Sequence, residues 1–334
     1  MSPWFARGMR RSAALTLAAL TALTCLQPLP SHAQTWPTRP VQLVVPFVPG
    51  GATDVVGRIV SDKLAQRLGQ PVLIDNKPGA GGNIGATMVA NAAPDGHTMF
   101  IAGSPGFPNA AALSKNPGFD PEKDFVAVAL LASQSMLLTL HPSVPVETLK
   151  DLVSYAKANP GKLNYGTPGI GTPHHLAMEL LNTVAATDFV HVPFRGGAPM
   201  AQAVVSGQVQ MMFGSFVVVG PQLKAGKLKV LGGSSKRGVT QAPEVPTIAA
   251  LGYPDFDVEI WFGVVAPRMT PPAVVERMAR EIHAVVETEE IKQRLLTTGY
   301  DPPPKLTSAE MDKLVARDVV RWSQLLKNAG IQPE

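Results

Sequence analysis

The sequence predicts an α/β protein of two lobes, joined by a hinge and by two crossings of the chain between them. Three observations carry this expectation. Short apolar runs alternate with apolar stripes at helical spacing, the pattern of strands and crossover helices around parallel sheets. Glycine-rich turns separate a run from a stripe at 46–54, 76–83 and 166–172. Two long extended stretches, 125–140 and 256–266, interrupt the alternation where the chain would pass from one lobe to the other. The expected organisation is a leader at 1–33, a first lobe from 34–135 and 262–334, and a second lobe, 136–261, inserted within it.

The opening unit, VQLVVPFVPGGATDVVGRIVSDKLAQRL, shows the pattern at its clearest. Val41, Leu43, Val44 and Val45 form a buried strand, ended by Pro46, Pro49, Gly50 and Gly51. Val55, Val56, Ile59, Val60, Leu64 and Leu68 then recur at helical spacing, with Thr53 or Asp54 in the N-cap position. The first turn of such a helix has amides without intrahelical partners, and these attract anions. Equally, a strand, glycine turn and helix can be a connection and nothing more.

Further along, 71–75 reads as a strand, Asn83 caps a short helix toward Asn91, and 98–102 reads as a third strand ending in Gly103-Ser104-Pro105-Gly106. After the first crossing come a helix near 147–158, a strand at 163–165 and a helix from Thr172 to 185. Strands follow at 189–192, 209–213 and 228–231, separated by short helices starting near Gly197 and Pro221. Beyond the second crossing, one helix carries Val274, Val275, Met278, Ile282, Val285 and Val286. The last begins at Thr307 and Glu310 in capping-box spacing.

At 334 residues and 45% hydrophobic content the chain is long enough for two cores. Its N-terminus has the layout of a secretory signal peptide: Arg7, Arg10 and Arg11, an apolar run from Ala13 to Leu26, and Ser31-His32-Ala33, with cleavage expected after Ala33 and export of the remainder. Three of the 29 Lys and Arg, none of the 25 Asp and Glu and the lone Cys25 lie in that segment, which leaves 26 against 25 in the remainder. Nearly balanced charge argues against nucleic acid as a partner, and the exported chain has no disulfide. The run at 125–140 is short for a membrane span and is broken by Ser133, Gln134 and Ser135.

Several signals admit more than one chemistry. Gly79, Gly81 and Gly85 have GxGxxxG spacing, but the acidic residue of a dinucleotide site is not evident downstream. Ala102-Gly103-Ser104-Pro105-Gly106 is a degenerate nucleophile elbow, so Ser104 is either a hydrolase nucleophile or a loop hydroxyl; no spacing selects a base from His141, His174, His175, His191 and His283. His174 and His175, with Glu179, are candidate metal ligands but fall short of a full set. No phosphate-binding GxxxxGK[ST] is present, and no cofactor is expected. The remaining polar groups are uncharged: Gly50-Gly51-Ala52-Thr53, Gly81-Gly82-Asn83, Ser104 and 166–172 offer amides and hydroxyls suited to carboxylates. Arg195 is either a clamp for such a ligand or a solvated arginine. Phe47, Phe107, Phe194 and Phe213 suit either an apolar ligand body or the core.

On six motifs the sequence resembles the Bug-type receptors of tripartite tricarboxylate transporters. They are PFVPGGATDVVGR, NKPGAGGNIGATMVANAAPDGHT, GTPGIGTPHHLAMELL, HVPFRGGAPMAQAVVSGQVQMMF, KAGKLKVL and WFGVVAPRMTPP, spread over nearly all of the chain after the leader. The resemblance implies a two-lobed periplasmic binding fold of type II, the Venus-flytrap arrangement, that closes on a small organic mono- or dicarboxylate and delivers it to permease subunits in the membrane. It implies a monomer and no enzymatic activity. Carried over by motif, the ligand contacts would be Phe47, Gly51, Ala52, Thr53, Asp54, Gly82, Asn83 and Ser104 from the first lobe. The second would supply Thr167, Gly171, Thr172, Phe194, Arg195 and Gly196. The chain departs from the family pattern at Gly214, where relatives often have aspartate.

Overall fold

Valine and leucine crowd the first strand because both its faces are covered: in β1 (Val41–Val45), Val41, Leu43, Val44 and Val45 have no solvent exposure. The computed structural model describes residues 36–332, and the segment from Arg39 onward forms one compact unit. The expected signal peptide lies outside the described residues.

From β1 the chain enters α1 (Ala52–Leu68), returns through β2 (Val72–Asn76), turns at Ala80–Gly82 into α2 (Asn83–Ala90) and comes back through β3 (Thr98–Gly103). A short α3 (Ala110–Leu113) precedes β4 (Phe125–Gln134), which runs straight on into β5 (Met136–Leu140). There follow α4 (Leu149–Ala158), β6 (Asn164–Thr167), α5 (Pro173–Ala185), β7 (Val190–Pro193), α6 (Gly197–Val205), β8 (Met211–Ser215), α7 (Phe216–Lys224) and β9 (Lys229–Gly233). The chain closes with β10 (Ile260–Pro267), α8 (Pro272–Val286), α9 (Glu289–Thr297) and α10 (Ser308–Asn328).

Two five-stranded sheets result, in the orders β2-β1-β3-β10-β4 and β7-β6-β8-β5-β9. In each, the βαβ units make parallel pairs, β1 with β2 and β3, and β6 with β7 and β8. The strands at the crossings add antiparallel partners, β10 to β3 and β4, and β5 to β8 and β9. One core sits under the first sheet around Phe100, Phe107, Phe125, Trp261, Met311 and Val315. The other lies under the second sheet around Leu137, Met200, Val204, Met212, Val219 and Leu228. The fold is thus the two-lobed α/β arrangement that the alternation predicts. Lys and Arg on α1 meet acids near the C-terminus: Arg67 Nε is 2.8 Å from the Glu281 carboxylate of α8, which Arg277 also approaches at 3.0 Å.

The chain passes between the sheets at Ser135 and again at 234–259. Ser234 bonds the two crossings to each other. Its amide donates to the Met136 carbonyl (2.8 Å), its hydroxyl accepts from the Met136 amide (2.9 Å) and donates to the Val258 carbonyl (2.7 Å), and the Val258 amide donates back to the Ser234 carbonyl (2.8 Å).

Most differences from the sequence reading are at element ends. Helix α1 is capped by Gly51 and starts at Ala52, ahead of the expected Thr53 or Asp54, because Asp54 turns its carboxylate to the Gly50 amide and to two side chains. Helix α2 is likewise capped by Gly82 and not by Asn83. Helix α7 starts at Phe216, five residues before Pro221, which sits inside it. Phe216–Val219, with three valines, has a local preference for strand, and packing of Val219 into the second core outweighs it. The capping boxes at Thr148 with Asp151 and at Thr307 with Glu310 both form.

Candidate functional site

The carboxyl ends of β1 and β3 and the loop after β6 meet around a cavity of about 440 Å³, within the usual range of small-molecule sites. The first sheet's side of its wall includes Phe47, Ala52, Thr53, Gly82, Asn83 and Ser104; the second sheet's side includes Pro168, Ile170, Gly171, Thr172, Pro173 and His174. Most of the remaining surface is apolar, from Phe100, Phe107, Leu113, Phe119, Ile260 and Phe262. None of the lining residues is Asp, Glu, Lys or Arg.

Helix starts supply the polarity. Neither α1 nor α2 has a side chain capping its N-terminus, so their first-turn amides have no intrahelical or capping acceptor. Gly82 makes this possible for α2: its φ is 105°, which L side chains rarely adopt, and a Cβ there would lie 2.9 Å from Pro46 Cβ. Gly171, at φ 72°, brings the second sheet's loop against the first sheet's side, where a Cβ would meet Leu113 Cδ2 at 2.7 Å.

A ring stack holds that loop from behind. The Gly171 amide donates to His175 Nδ1 (3.1 Å), whose ring stacks on His191 with centroids 3.9 Å apart, and Tyr165 stacks on both. His191 Nε2 meets the Thr167 hydroxyl at 2.6 Å, and the Tyr165 hydroxyl donates to Glu179. Burial, with the neighbouring His191 adding to it, lowers the His175 pKa to about 4; burial likewise lowers that of His191 and brings His174 to about 4. His175 is therefore neutral at pH 7 with Nδ1 free to accept. Burial raises the pKa of Glu179 in the same cluster.

Of the residues expected at the site, Phe47, Ala52, Thr53, Gly82, Asn83, Ser104, Gly171 and Thr172 come together on the cavity wall. Gly51, Asp54, Thr167, Phe194, Arg195 and Gly196 are not among its lining residues. Gly51 is the N-cap of α1. Asp54 is buried behind it: burial alone would raise its pKa, but hydrogen bonds from Arg58, the Gly50 amide and Asn76 hold it at about 2. Thr167 is buried against His191, and Arg195 is exposed just before Gly196, the N-cap of α6. Phe194 lies near Gly166, where a Cβ would approach its ring to 3.3 Å. Gly214 is buried in β8, where a Cβ would lie 2.4 Å from Val219 Cγ1, so this packing leaves no room for a side chain there.

The lining also includes Phe100, Phe119, Gln134, Phe262 and His174, which motif reasoning did not single out as ligand contacts. Phe262 sits in WFGVVAPRMTPP, and His174 neighbours the helix-start threonine; nothing in their spacing separates cavity walls from core.

Two lobes facing each other across such a cavity, with a double crossing between them, define a solute-binding protein of the two-lobed, flytrap class. The family model described as the tripartite tricarboxylate transporter family receptor matches residues 56–331, and the chain belongs to that family. It is 37% identical over 327 residues to the UPF0065 protein in the tcbD-tcbE intergenic region of Pseudomonas sp. (strain P51), covering 96% of this chain and 94% of that one. Among solved structures it is similar to R. palustris Rpa4515 with adipate (TM-score 0.74, 34% identity, 90% of this chain and all of that one). It is also similar to the periplasmic binding protein BugD (TM-score 0.71, 32% identity, 90% of this chain and all of that one).

Proposed function

We propose that this chain is a periplasmic receptor that captures a small organic carboxylate in the cavity and hands it to the permease subunits of a tripartite tricarboxylate-type transporter. The observation that carries this reading is a cavity edged by the uncapped N-termini of α1, α2 and α5 with no acidic residue on its wall. Aligned amides favour negative charge without a buried cation, and their partial positive charge is strongest at the first turn. The adipate bound to the R. palustris relative supports the ligand class, and BugD supports the compartment.

In this reading residues 1–33 are a signal peptide cleaved after Ala33, 136–261 is the inserted second lobe, and the receptor works as a monomer without a cofactor. The ligand contacts are Phe47, Ala52, Thr53, Gly82, Asn83, Ser104, Gly171 and Thr172. Closure about Ser135 and Ser234 buries the ligand, and the closed form is the one the permease reads.

The hydrolase alternative has little to stand on. The Ser104 hydroxyl donates its proton to Asp318 at 3.1 Å, whereas a serine nucleophile passes it to a base such as histidine. For a metal carrier, three or more His, Cys, Asp or Glu would have to stand together, and no such group occurs among the described residues. A thermal-shift panel of carboxylates, amino acids, sugars and divalent metals tests the proposal: a carboxylate at 100 times its Kd should add about 2.7 kcal/mol of stability. Stabilisation by metals with no response to any carboxylate would overturn it.

A further inference from the structure

The loop from Thr167 to Thr172 supplies Pro168, Ile170, Gly171 and Thr172 to the cavity wall, and it is held at both ends by histidines that are not among the lining residues. His175 holds one end. It is the third residue of α5, the position from which a capping-box side chain reaches back to the amides ahead of a helix, and its Nδ1 takes the Gly171 amide at 3.1 Å. No side chain caps α5 itself, so the first-turn amides after Pro173 keep no protein acceptor. His191 holds the other end. Its Nε2 lies 2.6 Å from the Thr167 hydroxyl, which also pairs with the amide and the carbonyl of Gly169, each at 3.2 Å.

These contacts fix where the ring protons sit. His175 Nδ1 accepts, so its proton is on Nε2, which stands 3.9 Å from the Glu179 carboxylate. The Thr167 hydroxyl has one proton and two lone pairs. With the proton on the Gly169 carbonyl and one lone pair on the Gly169 amide, the second lone pair takes a proton from His191 Nε2. Both rings are then neutral Nε2–H tautomers, the state that burial favours at pH 7. The two rings stack with centroids 3.9 Å apart, and Tyr165 stacks on both, so one aromatic unit braces the two ends of the loop together.

Resting on the carboxylate reading above, we propose that His175 and His191 are positioning residues for ligand binding: they clamp the loop 167–172 at both ends and hold Gly171, Thr172 and the start of α5 where a carboxylate meets them. Neither ring touches the ligand. A side chain at 175 with no acceptor in the Nδ1 position frees the Gly171 amide, and the second side of the cavity loses its shape while the packing behind it stays.

Long-range proton–nitrogen correlation spectra of the purified protein at pH 7 should show both histidines as Nε2–H tautomers, with their signals assigned by their loss in His175→Asn and His191→Asn. A proton on Nδ1 of His175 overturns the proposal, and this measurement stands even where the next variant does not fold. His175→Phe keeps a ring in the stack but has no acceptor, whereas His175→Asn puts an amide oxygen where Nδ1 was. Calorimetry with adipate, malate and benzoate should give a Kd raised about tenfold or more in His175→Phe and within about threefold of the parent in His175→Asn. Hydrogen exchange at the Gly171 amide should quicken in the Phe variant alone. Quicker exchange with an unchanged Kd, or an equal loss of affinity in both variants, overturns the positioning role and leaves the carboxylate reading intact. No binding of any of the three acids by the parent protein overturns both.

Discussion

The Ser104 hydroxyl, on the cavity wall after β3, donates at 3.1 Å to Asp318 in the last helix, 214 residues away in the chain. The same carboxylate oxygen accepts from Trp261 Nε1 at 2.8 Å, and Asp318 is only 2% exposed. One buried acid thus fixes both the loop at the mouth of β3 and the start of β10. Asp318→Ala leaves two buried donors without an acceptor, and the expected loss is about 1–3 kcal/mol in urea unfolding. Asp318→Asn, which keeps an acceptor oxygen, should lose less; equal losses would show that packing and not the hydrogen bonds is at stake.

Gly51→Asp is expected to weaken carboxylate binding at least tenfold, about 1.4 kcal/mol, without lowering the melting temperature. Gly51 caps α1 at φ −73°, an ordinary conformation for any residue, and its Cβ would meet nothing closer than 3.4 Å. An aspartate there is a good N-cap that occupies the first-turn amides and adds a negative charge beside the cavity. Calorimetry and a melting curve on the same sample check both halves.

Gly82→Ala and Gly81→Ala form a contrasting pair. Both positions have positive φ, 105° and 66°, but only at Gly82 would the new Cβ collide, 2.9 Å from Pro46. Gly82→Ala should cost about 1–3 kcal/mol and disturb the start of α2, whereas Gly81→Ala should cost less and leave ligand affinity in place. Matched denaturation and binding curves decide it.

Stability should fall as pH drops from about 6.5 toward about 4. In that window the unfolded chain protonates its histidines at their ordinary values, while burial keeps His175, facing His191, Tyr165 and Glu179, neutral in the folded state down to about 4. A depressed histidine pKa therefore contributes a pH dependence that favours the fold above about 6.5. The half-buried Glu179, whose pKa is raised, acts in the opposite sense as pH rises. His175→Gln should flatten the melting-temperature profile between pH 6.5 and 4; an unchanged profile would place the dependence elsewhere.

The strand, glycine turn and helix of the opening unit were legible because β1 and α1 carry their periodicities in five and seventeen residues. The orientation of the turn was not. The family motif puts Asp54 among the ligand contacts, yet Asn76, at the end of β2, and Arg58 draw it inward, a pairing set by sheet order and invisible in local sequence. Arg195 had two open readings, and the structure leaves it exposed off the cavity wall. Phe107 and Phe213 are alike in sequence, but Phe107 faces the cavity while Phe213 is wholly buried against Phe256, their centroids 5.8 Å apart. Whether a phenylalanine bounds a void or fills one depends on what the other lobe brings opposite, and no window of one strand contains that.

Ser234 has a mechanical meaning. By bonding to Met136 on one strap and Val258 on the other, it locks the two connections into a single ribbon, and a ribbon bends about one axis far more readily than it twists. Neither strap can therefore shift without dragging the other, and a single serine keeps the two in step.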